Sequence, residues 1–152
     1  MTEIREGYRG FSMVELMVVV VIIAIGAALA APSLSSWLAK QKLNSSARTL
    51  ASHLQQARMA SVEGNENVRV SFDPNNEWYI AIANTQGIIV PKTFMPAGID
   101  IVNITFTNNS TGFNSRGIAL NSGSVDIQYN KAPLADRTRT ITLSPGGSIS
   151  VN

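Results

Sequence analysis

The chain has 152 residues, of which 45% are hydrophobic and 14% are charged, with a net charge of +2 and no cysteine. The length that remains after the apolar N-terminal segment is enough for one small domain with one hydrophobic core. The net charge is too small to indicate a nucleic-acid or membrane-surface partner. The absence of cysteine excludes disulfides and thiolate metal sites.

An apolar segment follows a short polar N-terminus. Residues 11–31 contain a single charged side chain, that of Glu15. At about 1.5 Å per residue, a helix of this length crosses the lipid hydrocarbon layer. The valine-rich residues 18–23 would suit a strand in water, but a lone segment in lipid must satisfy its own backbone hydrogen bonds as a helix. We therefore expect residues 11–31 to form a transmembrane helix.

A removable secretory signal is the alternative interpretation of the same segment. The letters "MTEIREGYRG" could form the polar start, residues 16–27 the apolar region, and "ALA" at 28–30 the cleavage site. Three features argue against a removable signal. A carboxylate lies at the start of the apolar region, the two arginines before it are balanced by two glutamates, and the apolar run is longer than a signal requires. A secreted, soluble binding domain released after Ala30 stays open as an alternative.

The stretch "GFSMVELMVVVVIIAIGAALAAP" resembles the N-terminus of type IV pilins and of type II secretion pseudopilins. The shared features are a Gly-Phe junction, a Glu four residues after the Phe, and a Pro near the end of the apolar run. They correspond here to Gly10, Phe11, Glu15 and Pro32. The resemblance implies that a prepilin peptidase cuts between Gly10 and Phe11 and that Phe11 is then N-methylated.

The same resemblance implies a domain organisation and a location. Residues 1–10 would be the prepilin leader, residues 11–31 the transmembrane or filament-core helix, and residues 32–152 a periplasmic domain. The chain would sit in the bacterial inner membrane as a single-pass protein until it joins a pilus or pseudopilus. Its expected partners are the lipid bilayer, the prepilin peptidase, the inner-membrane assembly platform and other pilin or pseudopilin subunits.

Glu15 requires a physical explanation, because a carboxylate in a bilayer costs about 2.5–3.5 kcal/mol on insertion scales. By the resemblance, its partner is the new amino terminus of Phe11 on a neighbouring subunit. The pair would set the assembly register, since a slipped helix leaves both charges unpaired in an apolar environment. The alternative is that the Glu15 side chain lies at the membrane interface and contacts water, without an intersubunit role. Gly26 and Pro32 are the predicted positions of a helix bend.

The remainder of the chain predicts an α+β domain. Apolar residues recur with helical spacing up to position 57, which predicts an amphipathic helix over 33–63 that ends before the Gly64-Asn65 signal. The period then changes to two, which predicts a β-rich part over 66–152. We expect the long helix to pack on a small antiparallel sheet or sandwich. Predicted strands lie at 68–72, 78–83, 88–94, 99–106, 124–129, 137–143 and 148–151.

Three later segments sharpen the resemblance. The helix end "LQQARMASVEGNENVRVSF", the segment "FNSRG" and the final strand after "SPGG" are similar to the GspH/FimT group of minor pseudopilins. That group implies a low-abundance subunit near the filament tip. The cysteine pair found near the end of many major type IV pilins is absent, which agrees. Some FimT-like proteins serve DNA uptake, so a DNA-binding tip subunit is a further alternative.

Catalytic and metal-binding patterns are missing from the sequence. His53 is the only histidine, so neither a His-based triad nor a multi-His metal site can be assembled. We predict that His53 is a solvated or partly packed helix residue. No phosphate-binding or nucleophile-elbow motif occurs. The sequence therefore predicts a protein without cofactor, metal or enzymatic activity.

Four basic side chains are the candidates for nucleic-acid contact. Relatives that bind DNA carry arginines in the closing segment, by resemblance, whereas "SPGGSISVN" here contains none. In a regular strand, Arg137 and Arg139 share a face with Ile141 and Leu143, so their stems should pack at the rim of the core. We expect DNA binding to be absent or weak and non-specific. The candidates are Arg116, Lys131, Arg137 and Arg139.

Overall fold

The computed structural model describes residues 10–129 and 137–152, without the side chains of residues 28–33 and 35. The predicted leader therefore lies outside the described residues, apart from Gly10. The chain divides into two compact units, with the boundary between Ser35 and Ser36. The elements are α1 (Met13–Glu63), β1 (Val68–Asp73), β2 (Trp78–Ala83), β3 (Gly87–Phe94), β4 (Ile99–Ile104), β5 (Ser110–Phe113), β6 (Gly123–Tyr129), β7 (Thr138–Leu143) and β8 (Ile149–Val151).

The eight strands form two antiparallel sheets within the Ser36–Asn152 unit. The first sheet has the order β3-β2-β1-β5 and the second has the order β4-β6-β7-β8. The second half of α1 turns an apolar stripe towards the sheets, because its buried residues recur every three or four positions. The fold is therefore the expected α+β arrangement, in its two-sheet form. The buried helix residues are Ala39, Leu43, Ala47, Leu50, Ala51, Leu54, Ala57 and Ala60.

The two sheets are linked through Glu77, at the start of the hairpin strand β2. Its carboxylate oxygen Oε2 accepts a hydrogen bond of 2.6 Å from the backbone N–H of Ile101 on β4. Its own carbonyl oxygen accepts a second bond, of 2.7 Å, from the N–H of Met95. Partial burial raises the pKa of the Glu77 carboxyl. One residue thus holds the first sheet against the first strand of the second.

The predicted strands are confirmed, with small changes at their ends. The strand predicted over 99–106 ends at Ile104, and the one predicted over 137–143 begins at Thr138. One prediction was wrong, because "TNNSTG" contains β5 as well as a turn. The turn is confined to residues 107–109, and Asn108 and Asn109 have the positive φ angles of 55° and 50° that a tight turn requires.

Gly112 explains why β5 is a strand despite its unfavourable composition. A Cβ atom at this position would lie 2.2 Å from the carbonyl oxygen of Val68 on the neighbouring β1. The glycine therefore allows a close approach of two backbones rather than a turn. Thr111, which is also in β5, is buried and donates a hydrogen bond of 2.7 Å to the carbonyl oxygen of Asn121.

Candidate functional site

The Gly10–Phe11 peptide bond lies outside the helix. Gly10, Phe11 and Ser12 have no regular secondary structure, and α1 begins at Met13. The Phe11 side chain is 76% exposed. Among the described residues, no atom beyond the chain neighbours of Gly10 lies within 4 Å of a Cβ built on it. Cleavage at this exposed, non-helical peptide bond stays a prediction.

Ser12 caps the helix, a role that the sequence analysis missed. Its carbonyl oxygen accepts hydrogen bonds of 3.1 Å from the N–H groups of Glu15 and Leu16. Its hydroxyl Oγ accepts a further bond, of 3.3 Å, from the N–H of Glu15. Glu15 thus lies in the first helical turn, where the helix dipole favours a carboxylate. The S-x-x-E spacing that signals such a cap is visible in "SMVE".

Large apolar side chains are exposed along the first part of α1. From Met13 to Ile25 their exposed fractions lie between 45% and 86%. Apolar surface of this extent marks contact with protein or lipid. Over the residues that the structure describes, no helix has the length and apolar character required to cross a membrane. The membrane span over residues 11–31 therefore stays a prediction.

The predicted bend positions lie within a continuous helix. The α-helical assignment runs through both Gly26 and Pro32 without interruption. No atom outside the local helix backbone lies within 4 Å of a Cβ built on Gly26. A bend at either residue, which would arise because proline lacks an N–H and glycine lacks a side chain, stays a prediction.

Arg58 joins the three segments on which the second resemblance rests. It belongs to "LQQAR", and its Nε donates a hydrogen bond of 2.8 Å to the carbonyl oxygen of Gly117 in "FNSRG". Its Nη2 lies 3.5 Å from the carbonyl oxygen of Gly146 in "SPGG". A Cβ on Gly147 would lie 2.2 Å from the oxygen of Gly117, so the two turns are in contact. These motifs therefore form one structural junction at the end of α1.

The candidate basic residues do not form one cluster among the described residues. Arg116 is exposed in the turn that contacts the β7–β8 turn, whereas Arg137 precedes β7 at its opposite end. A strand of six residues separates the two ends by roughly 20 Å. The Nε of Arg139 donates a hydrogen bond of 2.8 Å to Asn44 on α1, and its side chain is half-buried, as predicted for the core rim. Lys131 lies outside the described residues.

His53 is half-buried on α1, in agreement with the prediction of a solvated or partly packed helix residue. Its Nδ1 lies 2.7 Å from the hydroxyl oxygen of Tyr79 on β2, and the two ring centroids are 5.7 Å apart. Desolvation by burial lowers the pKa of His53, and burial raises the pKa of Tyr79 to about 12. Within the described ranges, no group of three His, Cys, Asp or Glu residues could hold a metal ion.

Two family descriptions match the chain. The family described as Type II transport protein GspH matches residues 46–147, and the Prokaryotic N-terminal methylation motif matches residues 7–31. The first match covers more than half of the chain and includes the Arg58 junction. The second covers the Gly10–Phe11 bond, the Ser12 cap and Glu15.

Solved structures with the same fold include two minor filament subunits. The minor pseudopilin EpsH from the type II secretion system of Vibrio cholerae matches with a TM-score of 0.60 and 11% identity, over 73% of this chain and 96% of that chain. The type IV minor pilin FimU of Pseudomonas aeruginosa matches with a TM-score of 0.58 and 19% identity, over 74% of this chain and 89% of that chain.

Identities this low establish a shared fold alone. No curated protein sequence matches the chain. The family is established by the match over residues 46–147, together with the N-terminal motif. The chain therefore belongs to the Type II transport protein GspH family, within the superfamily of type IV pilins and pseudopilins.

Proposed function

We propose that this chain is a minor pseudopilin or minor pilin, a structural subunit without catalytic role in a type II secretion pseudopilus or a type IV pilus. The observation that carries the proposal is the exposed Gly10–Phe11 bond immediately before a capped helix with an apolar surface. A peptidase requires the first feature and a filament or membrane requires the second. Both occur on a chain of the GspH family.

The proposed pathway begins with cleavage and N-methylation at Phe11. Residues 11–31 then hold the subunit in the bacterial inner membrane, and residues 32–152 lie in the periplasm. During assembly, the carboxylate of Glu15 pairs with the Phe11 amino terminus of a neighbouring subunit. Because Glu15 is exposed in the first helical turn, it is accessible to such a partner. The assembly platform moves the subunit into a position near the filament tip.

DNA uptake is the weaker second candidate. The candidate arginines Arg116 and Arg137 lie near opposite ends of β7, and Arg139 donates a hydrogen bond to Asn44. Duplex DNA binding requires several cationic side chains that reach phosphates together. This arrangement supports a contribution of the domain to assembly rather than to DNA capture.

Co-purification with the filament tests the proposal. We expect the full-length chain, produced in its native cell, to be recovered with sheared pili or with an overproduced pseudopilus in a small amount relative to the major subunit. Recovery only in the soluble periplasmic fraction would contradict the proposal and support a secreted domain. Recovery in an amount equal to the major subunit would contradict the minor, tip-associated position.

A further inference from the structure

The outer face of the first sheet carries an apolar stripe that the fold of the chain does not use. On β2, Tyr79 and Ala81 point into the core, so the alternate residues point outwards. Ile82 is 44% exposed, and its cross-strand partner Ile88 on β3 is 65% exposed. Trp78 and Phe94 form a second cross-strand pair, and Phe94 is 61% exposed. Five large apolar side chains form this outer stripe: Ile82, Ile88 and Phe94 are exposed, and Trp78 and Ile80 are half-buried.

A contiguous exposed apolar surface indicates a contact with another molecule. The core is complete without the outer stripe, since Tyr79, Ala81, Ala83 and Val90 bury the opposite face of the same two strands. The groups along these two strands on this face are aromatic rings, aliphatic side chains and the ammonium group of Lys92. The stripe therefore has the composition of a protein interface, in which tryptophan and phenylalanine are enriched.

The edge of the sheet is less suitable for docking than its face. β3 is the outer strand, but the carbonyl oxygen of Ile89 accepts a hydrogen bond of 3.4 Å from Nε2 of Gln56. Pro91 has no N–H to donate, and its carbonyl oxygen accepts a bond of 2.8 Å from the hydroxyl of Thr93. In the middle of β3, the carbonyl oxygens of Ile89 and Pro91 are therefore occupied, and position 91 offers no N–H. A partner is expected to pack on the stripe rather than to extend the sheet.

Two cations accompany the outer stripe. The Lys92 ammonium lies 4.2 Å from the centroid of the Trp78 ring and 5.3 Å from that of Phe94. Arg69 on β1 is exposed and is the cross-strand neighbour of Ile82. Asp73, on the same face, accepts hydrogen bonds from Asn76 and Asn75 and also interacts electrostatically with Lys92. The two cations outnumber this carboxylate, so the face favours a partner that brings a carboxylate of its own.

A polar cleft of about 540 Å³ continues the face on the side of β1 and β5. Arg69, Ser71 and Ser110 line it together with Leu120 and Asn121. Arg69 thus borders both the apolar stripe and the cleft. A carboxylate placed near Arg69 would lie close to the hydroxyl of Ser71, since the hydroxyl of Ser110 already donates to the carbonyl oxygen of Val70. Apolar neighbours of that carboxylate would then lie on the stripe.

We propose that the outer stripe, with Lys92 and Arg69, docks a different subunit of the same filament through a surface that presents a carboxylate among apolar side chains. This inference rests on the proposed function, which supplies other subunits as neighbours. A second copy of this chain is disfavoured as the occupant, because a two-fold contact would bring the same face, with its excess of positive charge, to both sides of the interface. Charge complementarity thus selects an acidic partner.

Site-specific photocrosslinking in cells that assemble the filament tests this inference. The full-length chain carries p-benzoylphenylalanine at position 94, or at position 88 as a second site. The matched control carries it at position 102, since Val102 is 49% exposed on β4 of the other sheet. We expect covalent adducts from positions 94 and 88 with a different protein whose precursor sequence has the Gly-Phe-x-x-x-Glu pattern near its N-terminus, and little adduct from position 102.

The charge requirement is tested in the same cells by Lys92→Glu, which should reduce the adduct about tenfold because it opposes two like charges. An unchanged melting temperature of the Lys92→Glu protein separates this effect from unfolding. The inference is overturned by no adduct, by adducts only with lipid or with a second copy, by a partner without that N-terminus, or by equal adducts from position 102. N-terminal sequencing of the same extract separates failure of this inference from failure of the proposed function. A chain that begins at Phe11 but forms no adduct contradicts the docking inference alone. A chain that begins elsewhere contradicts the docking inference and the proposed function.

Discussion

The Nε of Arg58 donates a hydrogen bond of 2.8 Å to the carbonyl oxygen of Gly117, and this bond fastens the end of α1 to the turn between β5 and β6. Nη2 of the same guanidinium lies 3.5 Å from the carbonyl oxygen of Gly146, so Arg58 also contacts the β7–β8 turn. Arg58 therefore lies where the helix and the connections of both sheets meet. Its guanidinium acts as a structural link, which explains how three distant motifs are related.

Replacement of Arg58 by alanine should destabilise the domain. A hydrogen bond to a charged group contributes about 1.5–3 kcal/mol, so we expect Arg58→Ala to lower the free energy of unfolding by roughly that amount. Urea unfolding of the Ser36–Asn152 unit measures it. Arg48→Ala is the matched control, because Arg48 is exposed on the same helix and should change stability by less than about 0.5 kcal/mol. Equal losses in the two variants would contradict a specific role for Arg58.

Two adjacent glycines offer a second test of this junction. Gly147 has a φ of +82°, and a Cβ there would lie 2.2 Å from the oxygen of Gly117. Gly147→Ala should therefore lower the melting temperature by several degrees, through both strain and steric overlap. At Gly146 the nearest atom to an added Cβ is 4.0 Å away, so Gly146→Ala should be nearly neutral. Similar melting temperatures for the two variants would show that the turns do not pack as described.

The sequence was most informative where side-chain periodicity is strong. The period of two in "VRVSF" and "WYIAIA" predicted strands at 68–72 and 78–83, and the structure contains them as β1 and β2. At β5 the composition led to the wrong prediction of a turn alone, because Asn and Gly are typical of turns. In the structure, Gly112 allows the backbone of β5 to lie close to that of β1. The need for glycine arises from this neighbouring strand, so the local sequence does not reveal it.

The Arg58 junction could not be predicted for a similar reason. The residues that accept its hydrogen bonds are 59 and 88 positions away along the chain, and no local pattern encodes such contacts. The Ser12 cap, in contrast, has a local S-x-x-E signal, and it was missed because Glu15 was interpreted as an intersubunit or interfacial residue and not as part of a helix cap. Local caps and strand patterns are thus accessible from sequence, whereas long-range hydrogen bonds are not.

Acid should weaken the domain through His53. Burial lowers the pKa of His53 in the folded state, so the unfolded chain binds the proton more tightly. The stabilising contribution of neutral His53 is therefore present above its unfolded pKa of about 6.5 and is lost as the pH falls below that value. We expect the difference in unfolding free energy between the parent and His53→Gln to shrink between about pH 7.5 and about pH 5.5. Tyr79, with a pKa raised to about 12, does not titrate in this range. If this difference in unfolding free energy does not change with pH, protonation of His53 does not weaken the domain and the prediction is wrong.

Removal of the Glu15 carboxylate should separate assembly from membrane insertion. Glu15→Ala should retain insertion and cleavage, because loss of a charge does not weaken an apolar helix in lipid, but it should reduce recovery of the subunit with filaments. Glu15→Asp is the matched control, since it keeps the charge, and it should restore part of the recovery. Normal recovery of Glu15→Ala with the filament would mean that the carboxylate serves only the local helix cap and the membrane interface.

DNA binding should be weak. The separation of Arg116 from Arg137 and the Asn44 bond of Arg139 leave few cations able to reach phosphates together. A gel-shift titration of the Ser36–Asn152 unit should give a dissociation constant no tighter than about 10⁻⁴ to 10⁻⁶ M at physiological salt. Clearly tighter binding that is lost in the Arg137→Ala, Arg139→Ala double variant would make DNA uptake the better functional assignment.

The N-terminus of the mature protein tests the central claim most directly. Intact-mass measurement and N-terminal sequencing of the protein extracted from membranes should give a chain that begins at N-methylated Phe11. Gly10→Val should leave the full leader attached, and since a Cβ at Gly10 meets no atom within 4 Å, that effect would report peptidase recognition and not folding. A mature chain that begins at Ala31 would contradict the account, because the anchor helix and Glu15 would then be absent from the functional protein.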